Sequence, residues 1–153
     1  MTSLTVHASC VTFGKKAILI RGKSGSGKSD LVLQLIDGQG YGLGVKLLRA
    51  KLVADDQVVL QREKDTVFAG PPKILAGKLE IRGLGIVTIP YKPKAKLCCI
   101  VDLKPRDEIA RMPEPADMLT EILGLSFPLY SIDPIAPTAA AQIRSLLSKM
   151  HFT

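Results

Sequence analysis

A single α/β domain with a mixed, strand-rich sheet and few helices is the fold this chain predicts. Three observations point there. Short segments rich in Val, Ile and Leu recur along the 153 residues, bounded by Gly, Pro and Asp. Only two segments carry apolar residues at helical spacing, Leu31–Ile36 and Ala139–Met150. Neither a repeat nor a linker divides the sequence, so residues 1–153 are expected to form one domain.

Taken in order, His7–Thr12 alternates as a first strand. Gly14-Lys15-Lys16 then turns the chain into Ala17–Ile20, which completes a hairpin. After Gly22–Ser29, a helix carries Leu31, Val32, Leu35 and Ile36 on one face. Asp37–Gly44 holds four glycines in eight residues, a density that neither helix nor strand tolerates, so a mobile loop is expected. Lys51–Ala54, Val58–Gln61 and Thr66–Gly70 read as strands, the first two flanking Asp55-Asp56. Leu79–Arg82 and Ile86–Ile89 flank Gly83-Leu84-Gly85, and Leu97–Leu103 is a buried strand. Lys104–Pro115 is polar and irregular, Asp117–Leu123 begins a short helix, and Ala139–Met150 is amphipathic with Ile143, Leu146, Leu147 and Met150 on one side. Local connections rather than helical crossovers join most strands, unlike the repeating βαβ of an ordinary nucleotide kinase.

Composition narrows the partners. No apolar run approaches the ~18–20 residues of a membrane span, and residues 1–7 lack a basic stretch followed by an apolar one, so no secretory signal is read there. Cys10, Cys98 and Cys99 are odd in number, and two are adjacent within an apolar run. Buried reduced thiols in a cytoplasmic protein are the expectation, since zinc-ligand spacing is lacking. A net charge of +7, from 21 Lys and Arg against 14 Asp and Glu, favours anionic partners. With three Tyr, four Phe and no Trp, stacking platforms for nucleic acid are sparse.

The most specific signal is Gly22-Lys23-Ser24-Gly25-Ser26-Gly27-Lys28-Ser29, which fits G-x-x-x-x-G-K-[ST] between an apolar strand and a helix. That context is an anion site: backbone N–H groups converge at a helix N-terminus whose dipole favours negative charge. Lys28 is placed to reach the β/γ-phosphates of a nucleotide and the Ser29 hydroxyl to ligate Mg²⁺. Phosphoryl transfer also needs a residue to orient or deprotonate the acceptor, and positive charge for the transition state. Asp55-Asp56, at a strand end, offers two carboxylates, one for metal or base duty and one facing a substrate hydroxyl. Glu80 and Arg82 share a strand face, and Gly83 and Gly85 after them permit close backbone approach. Arg106 and Arg111 in the polar loop are further sources of positive charge, and His7 by itself reads as an ordinary strand histidine.

These segments together resemble the HPr kinase/phosphorylase family, specifically its C-terminal catalytic domain. That family's loop runs G-[ED]-S-G-[IV]-G-K-S followed by an acid; here Gly22–Ser29 is followed by Asp30. Its L-[VI]-A-D-D element matches Leu52–Asp56, and its L-E-I-R-G-L-G-I signature is Leu79–Ile86 residue for residue. His7 stands fifteen residues before Gly22, as the family's histidine does. The resemblance implies a P-loop kinase domain related to phosphoenolpyruvate carboxykinase-type nucleotide-binding folds. It implies an ATP- and Mg²⁺-dependent protein-serine kinase acting on HPr or an HPr-like phosphocarrier of a bacterial phosphotransferase system, assembled as a hexamer.

By the same resemblance Asp55 is the general base with Asp56 beside it, and Lys28 stabilises the transferring phosphate. Ser29 and Glu80 hold Mg²⁺, His7 lies near the phosphates, Arg82 belongs to the signature face, and Arg111 is the downstream catalytic arginine. The chain is expected to be a short form without the separate N-terminal domain, and its 38–51 segment is longer and richer in glycine than the family's. The P-x-R-P-G-R-N element associated with dephosphorylation is reduced to Asp133–Pro137, which argues against phosphorylase activity. Those departures motivate an alternative, a nucleotide-sensing regulatory module with little or no phosphoryl transfer, and an ATPase or small-molecule kinase is a third reading.

Overall fold

The computed structural model describes residues 2–150. Its main sheet has nine strands in the path β1-β5-β6-β9-β3-β2-β4, with β11 beside β9 and β10 beside β11. The strands are β1 Ser3–His7, β2 Ser9–Phe13, β3 Lys16–Arg21, β4 Lys51–Ala54, β5 Gln57–Glu63, β6 Thr66–Gly70, β9 Ala95–Leu103, β10 Leu119–Ile122 and β11 Leu125–Ile132. A separate hairpin pairs β7 Lys78–Ile81 with β8 Gly85–Thr88. The two α-helices among the described residues are α1 Lys28–Asp37 and α2 Ala139–Met150. The sheet is mixed: β9 runs parallel to β3 and β11 and antiparallel to β6.

Strand alternation divides the core into two layers. Val11, Ile18, Ile20, Cys99 and Val101 face α1 and α2, where they meet Leu31, Leu35, Ile143 and Leu147. Cys10, Leu19, Leu60, Leu97 and Ile100 point the other way and pack with Val58, Val67, Ile122 and Phe127. The β7–β8 hairpin joins the helical layer through buried Leu79.

The expected first strand is two strands. His7 pairs with Gln57 in β5, whereas Cys10 pairs with Leu19 in β3 and Ala54 in β4. Ala8 is the hinge, and Asp55-Asp56 is the matching corner between β4 and β5. Residues 3–13 and 51–63 therefore run antiparallel along their whole length and bend together at one place. The corner is secured by hydrogen bonds from Ala8 N–H to Asp56 O (3.2 Å) and from Gln57 N–H to Asp55 O (2.8 Å). Asp56 takes a left-handed backbone there, φ 70°, a conformation more accessible to Asp than to most residues.

Two further expectations are corrected. Asp117–Leu123 yields only a 3-10 turn, Pro115–Met118, before extending into β10, because Leu119–Ile122 finds a partner in β11. The glycine-rich loop is docked against α2 instead of standing loose. Arg144 donates to Gly38 O (3.0 Å) and Ser148 to Gly42 O (2.8 Å), while Gly40 and Leu48 bridge the loop's two arms. Gly42 has φ 56°, and a Cβ there would lie 2.3 Å from the Arg144 carbonyl carbon. Glycine is required at that point by contact as much as by conformation.

Two stability predictions follow from this packing. Gly42→Ala should lower unfolding free energy by at least about 1 kcal/mol, read by denaturant melts, because backbone rather than a flexible side-chain end blocks the methyl. Burial raises the Cys10 thiol and pushes Cys99 up to about 12 from 9.0. Above pH 9 the unfolded chain therefore releases protons that the native state keeps. Stability should fall by up to about 1.4 kcal/mol per pH unit for each thiol between pH 9 and 12, and Cys99→Ala should flatten that slope.

Candidate active site

The Gly22–Ser29 loop leaves the end of β3 and turns directly into α1. Gly25 and Gly27 adopt φ 79° and 99°, which lets the loop curl over the helix start. The first intrahelical hydrogen bond runs from Leu31 N–H to Gly27 O (3.0 Å). The N–H groups of Lys28, Ser29 and Asp30 therefore precede any intrahelical acceptor, as at every helix start. Lys28 is buried, and its ammonium donates to the carbonyls of Gly22 and Lys23, the latter at 2.9 Å. Burial lowers its pKa from the ordinary lysine value, with Asp56 and Asp55 opposing the shift.

A cleft of about 390 Å³ opens beside this loop. It brings together His7, Ser24, Lys28, Ser29, Asp55, Asp56, Glu80 and Arg82, which come from four separate stretches of sequence. Asp55 forms its floor at 5% exposure. Its Oδ1 accepts from Ser9 Oγ (2.7 Å), and its two oxygens accept from Ser29 Oγ (3.1 and 3.0 Å). The Glu80 backbone N–H completes the set at 3.4 Å from Oδ2. Such a buried carboxylate is held in one orientation by donors from β2, α1 and β7.

Asp56 stands at the rim, its side chain 66% exposed and 3.3 Å from His7 Nδ1. His7 Nε2 lies 3.3 Å from Ser24 Oγ. A neutral ring with its proton on Nδ1 satisfies both contacts, donating to Asp56 and accepting from the Ser24 hydroxyl. His7 thus ties the Gly22–Ser29 loop to the acidic corner. Arg82 lies in the turn of the β7–β8 hairpin, one residue beyond the strand face on which it was expected, and still lines the cleft. Arg111 is elsewhere: it is exposed and does not line this cleft. Ser9 was not anticipated from the sequence. Its only signal was a hydroxyl at the start of an otherwise apolar run, one residue after Ala8.

The donor set suits a hard cation. Ser29, Asp55 and Glu80 offer oxygen ligands around one cleft, and among the described residues no cage of three His, Cys, Asp or Glu exists. That pattern fits Mg²⁺, which binds through one or two protein oxygens and takes its remaining ligands from water and phosphate.

Comparison with known proteins gives the family and the fold. Residues 1–142 match the family model described as HPr Serine kinase C-terminal domain. The chain belongs to that family. HPr kinase/phosphorylase from Bordetella pertussis is 36% identical over 132 residues, covering 79% of this chain and 39% of that protein. The Geobacillus thermodenitrificans protein of the same name is 29% identical over 158 residues, covering 96% and 47%. The chain thus spans less than half the length of these curated relatives. Among solved structures, the Hpr(Ser) kinase/phosphatase from Coxiella burnetii superposes with a TM-score of 0.78 at 23% identity, covering 97% of both chains. The shared fold is the P-loop-type kinase domain with few helices that the sequence predicts.

Within the family's loop pattern two positions differ here: Lys23 replaces an acid and Ser26 a branched aliphatic residue. Ser26 Oγ is buried against Gly22 and has no hydrogen-bond partner among the described residues. An unpaired buried hydroxyl is a net cost, so Ser26→Ala should raise unfolding free energy by about 1 kcal/mol, measured by thermal or denaturant melts.

Proposed function

We propose that this domain is an ATP- and Mg²⁺-dependent kinase that phosphorylates a serine of HPr or of an HPr-like phosphocarrier. The observation carrying the reading is Asp55: a buried carboxylate clamped beside the Lys28 loop and opening on the same cleft as Glu80 and Arg82. The names of the relatives, HPr kinase/phosphorylase, supply the acceptor class.

Lys28 and the first-turn N–H groups of α1 bind and orient the phosphates, and electrostatic stabilisation of the transferring group falls to Lys28 and Arg82. Ser29 and Glu80 would hold Mg²⁺, which would supply charge neutralisation on the phosphate oxygens. Asp55 takes the proton from the acceptor serine as general base. Ser9 fixes the carboxylate from behind, and Asp56, paired with His7 at the rim, shapes the approach.

The placement of Arg111 outside the cleft favours a second reading, a nucleotide-sensing module that binds ATP with slow transfer or none. Transfer of label from γ-labelled ATP to purified HPr separates the two, with HPr lacking the target serine as control. Serine-dependent label establishes the kinase. Tight ATP binding with no label supports the sensor.

Asp55→Asn should reduce kcat by at least about 100-fold while changing ATP affinity much less. A larger loss in Asp56→Asn than in Asp55→Asn would move the base assignment to Asp56. Ser9→Ala should cost about tenfold in kcat, roughly 1.4 kcal/mol of barrier, with ATP affinity near wild type. As Ser9 acts only through Asp55, its effect should vanish in the Asp55→Asn background.

A further inference from the structure

The end of the sheet opposite the active site carries a surface that is both apolar and basic. β3, β4 and β9 run in one direction, with the Gly22–Ser29 loop and Asp55 at carboxyl ends. The amino ends lie about 20 Å away, the length of the six residues of β3. α1 returns the chain to that end, and residues 38–50 cross it before entering β4. A hydrogen bond from Ala50 N–H to Leu35 O (3.0 Å) anchors the crossing.

Within the crossing the glycines face inward. A Cβ at Gly40 would lie 3.1 Å from Arg144 Nη1, and one at Gly44 2.8 Å from Ser148 Oγ, as with the Gly42 contact above. The alternate residues therefore face away from α2. Leu43 is 92% and Val45 93% exposed, and Tyr41 and Leu47 are half-exposed. A docked segment ordinarily has its apolar side chains inside and polar ones outside, and here the order is inverted. Leu43 also holds a left-handed backbone, φ 70°, which is costly for leucine and natural for Gly or Asn. Nothing among the described residues covers Leu43 or Val45.

Cations collect at the same end. Lys15 sits in the turn into β3, Lys46 and Arg49 in the crossing, Lys51 and Lys96 where β4 and β9 start, and Lys92 beside β4. Arg49 donates to Ile36 O (2.6 Å) and Lys92 to Gly14 O (3.3 Å), carbonyls that leave both charges unneutralised. The stretches supplying these cations, residues 8–29, 38–54 and 83–101, contain no Asp or Glu. Protruding aliphatic side chains among lysines match an anionic phospholipid bilayer, whose headgroups meet the cations while the acyl boundary takes the apolar tips. A nucleic-acid backbone would use the charge and leave Leu43 and Val45 in water. A second copy presenting the same face would set lysine against lysine. We propose that this end of the domain docks on anionic lipid, lying on the bilayer without crossing it. The Asp55 cleft, at the far end of the strands, then stays open to a soluble partner.

Co-sedimentation of the intact chain with vesicles tests this, comparing phosphatidylcholine alone with phosphatidylcholine holding about one-third phosphatidylglycerol. Wild type should bind the anionic vesicles at least about tenfold more tightly. Leu43→Ser/Val45→Ser, at two exposed positions and with no change of charge, should lose at least about tenfold on those vesicles. Met112→Ser, also exposed but beyond the opposite end of β9, should bind as wild type does. No partition of wild type onto anionic vesicles would overturn the docking surface. So would unchanged binding in the double variant, or an equal loss in Met112→Ser. Tighter binding of wild type to duplex DNA than to the vesicles would reassign the face to nucleic acid. Pelleting without vesicles that the double variant abolishes would assign it to a second copy. Either result overturns the proposal.

Discussion

The buried hydrogen bond between Ser9 and Asp55 is the point on which the site depends. It sits at the corner where two long antiparallel segments, residues 3–13 and 51–63, bend together. A carboxylate at 5% exposure is tolerable only with its oxygens occupied. Here the donors come from three elements that are far apart in sequence: Ser9 on β2, Ser29 on α1 and the Glu80 N–H on β7. The desolvation cost of one acid thus fixes the mutual placement of corner, helix and hairpin. The same arrangement leaves Asp56 at the rim, free of that demand and shaped instead by its left-handed backbone and by His7.

Much of this was legible in the sequence for a simple reason: the informative segments are local. β3, α1, β9 and α2 follow from apolar runs and helical spacing, and Ala139–Met150 was expected with the bounds it has. The loop, the acidic pair and the Leu79–Ile86 signature were each readable as motifs, and the fold brings them to one cleft. What was not legible depends on partners. Nothing in residues 3–13 marks Ala8 as a hinge, because β1 and β2 differ only in which distant strand receives them.

The β10–β11 pair was missed for a related reason. Pro128 interrupts an otherwise extended run and argues against a strand from sequence alone. In the fold it stands where β11 passes from one neighbour to another: Leu125–Pro128 pairs with β10, and Leu129–Ile132 with β9. Arg111 shows the converse limit. The family resemblance nominated it for the cleft, but an irregular polar loop carries no periodicity from which a direction can be read, and it lies elsewhere.

The seating of the glycine-rich loop on α2 also bears on where the loop's order comes from. A segment with four glycines in eight residues loses unusual conformational freedom on ordering, and its own side chains offer little in return. The contacts that hold it come from Arg144 and Ser148, among the last of the described residues. The loop's seating therefore depends on residues 106 positions farther along the chain, so its order is a property of the whole fold and not of its own sequence.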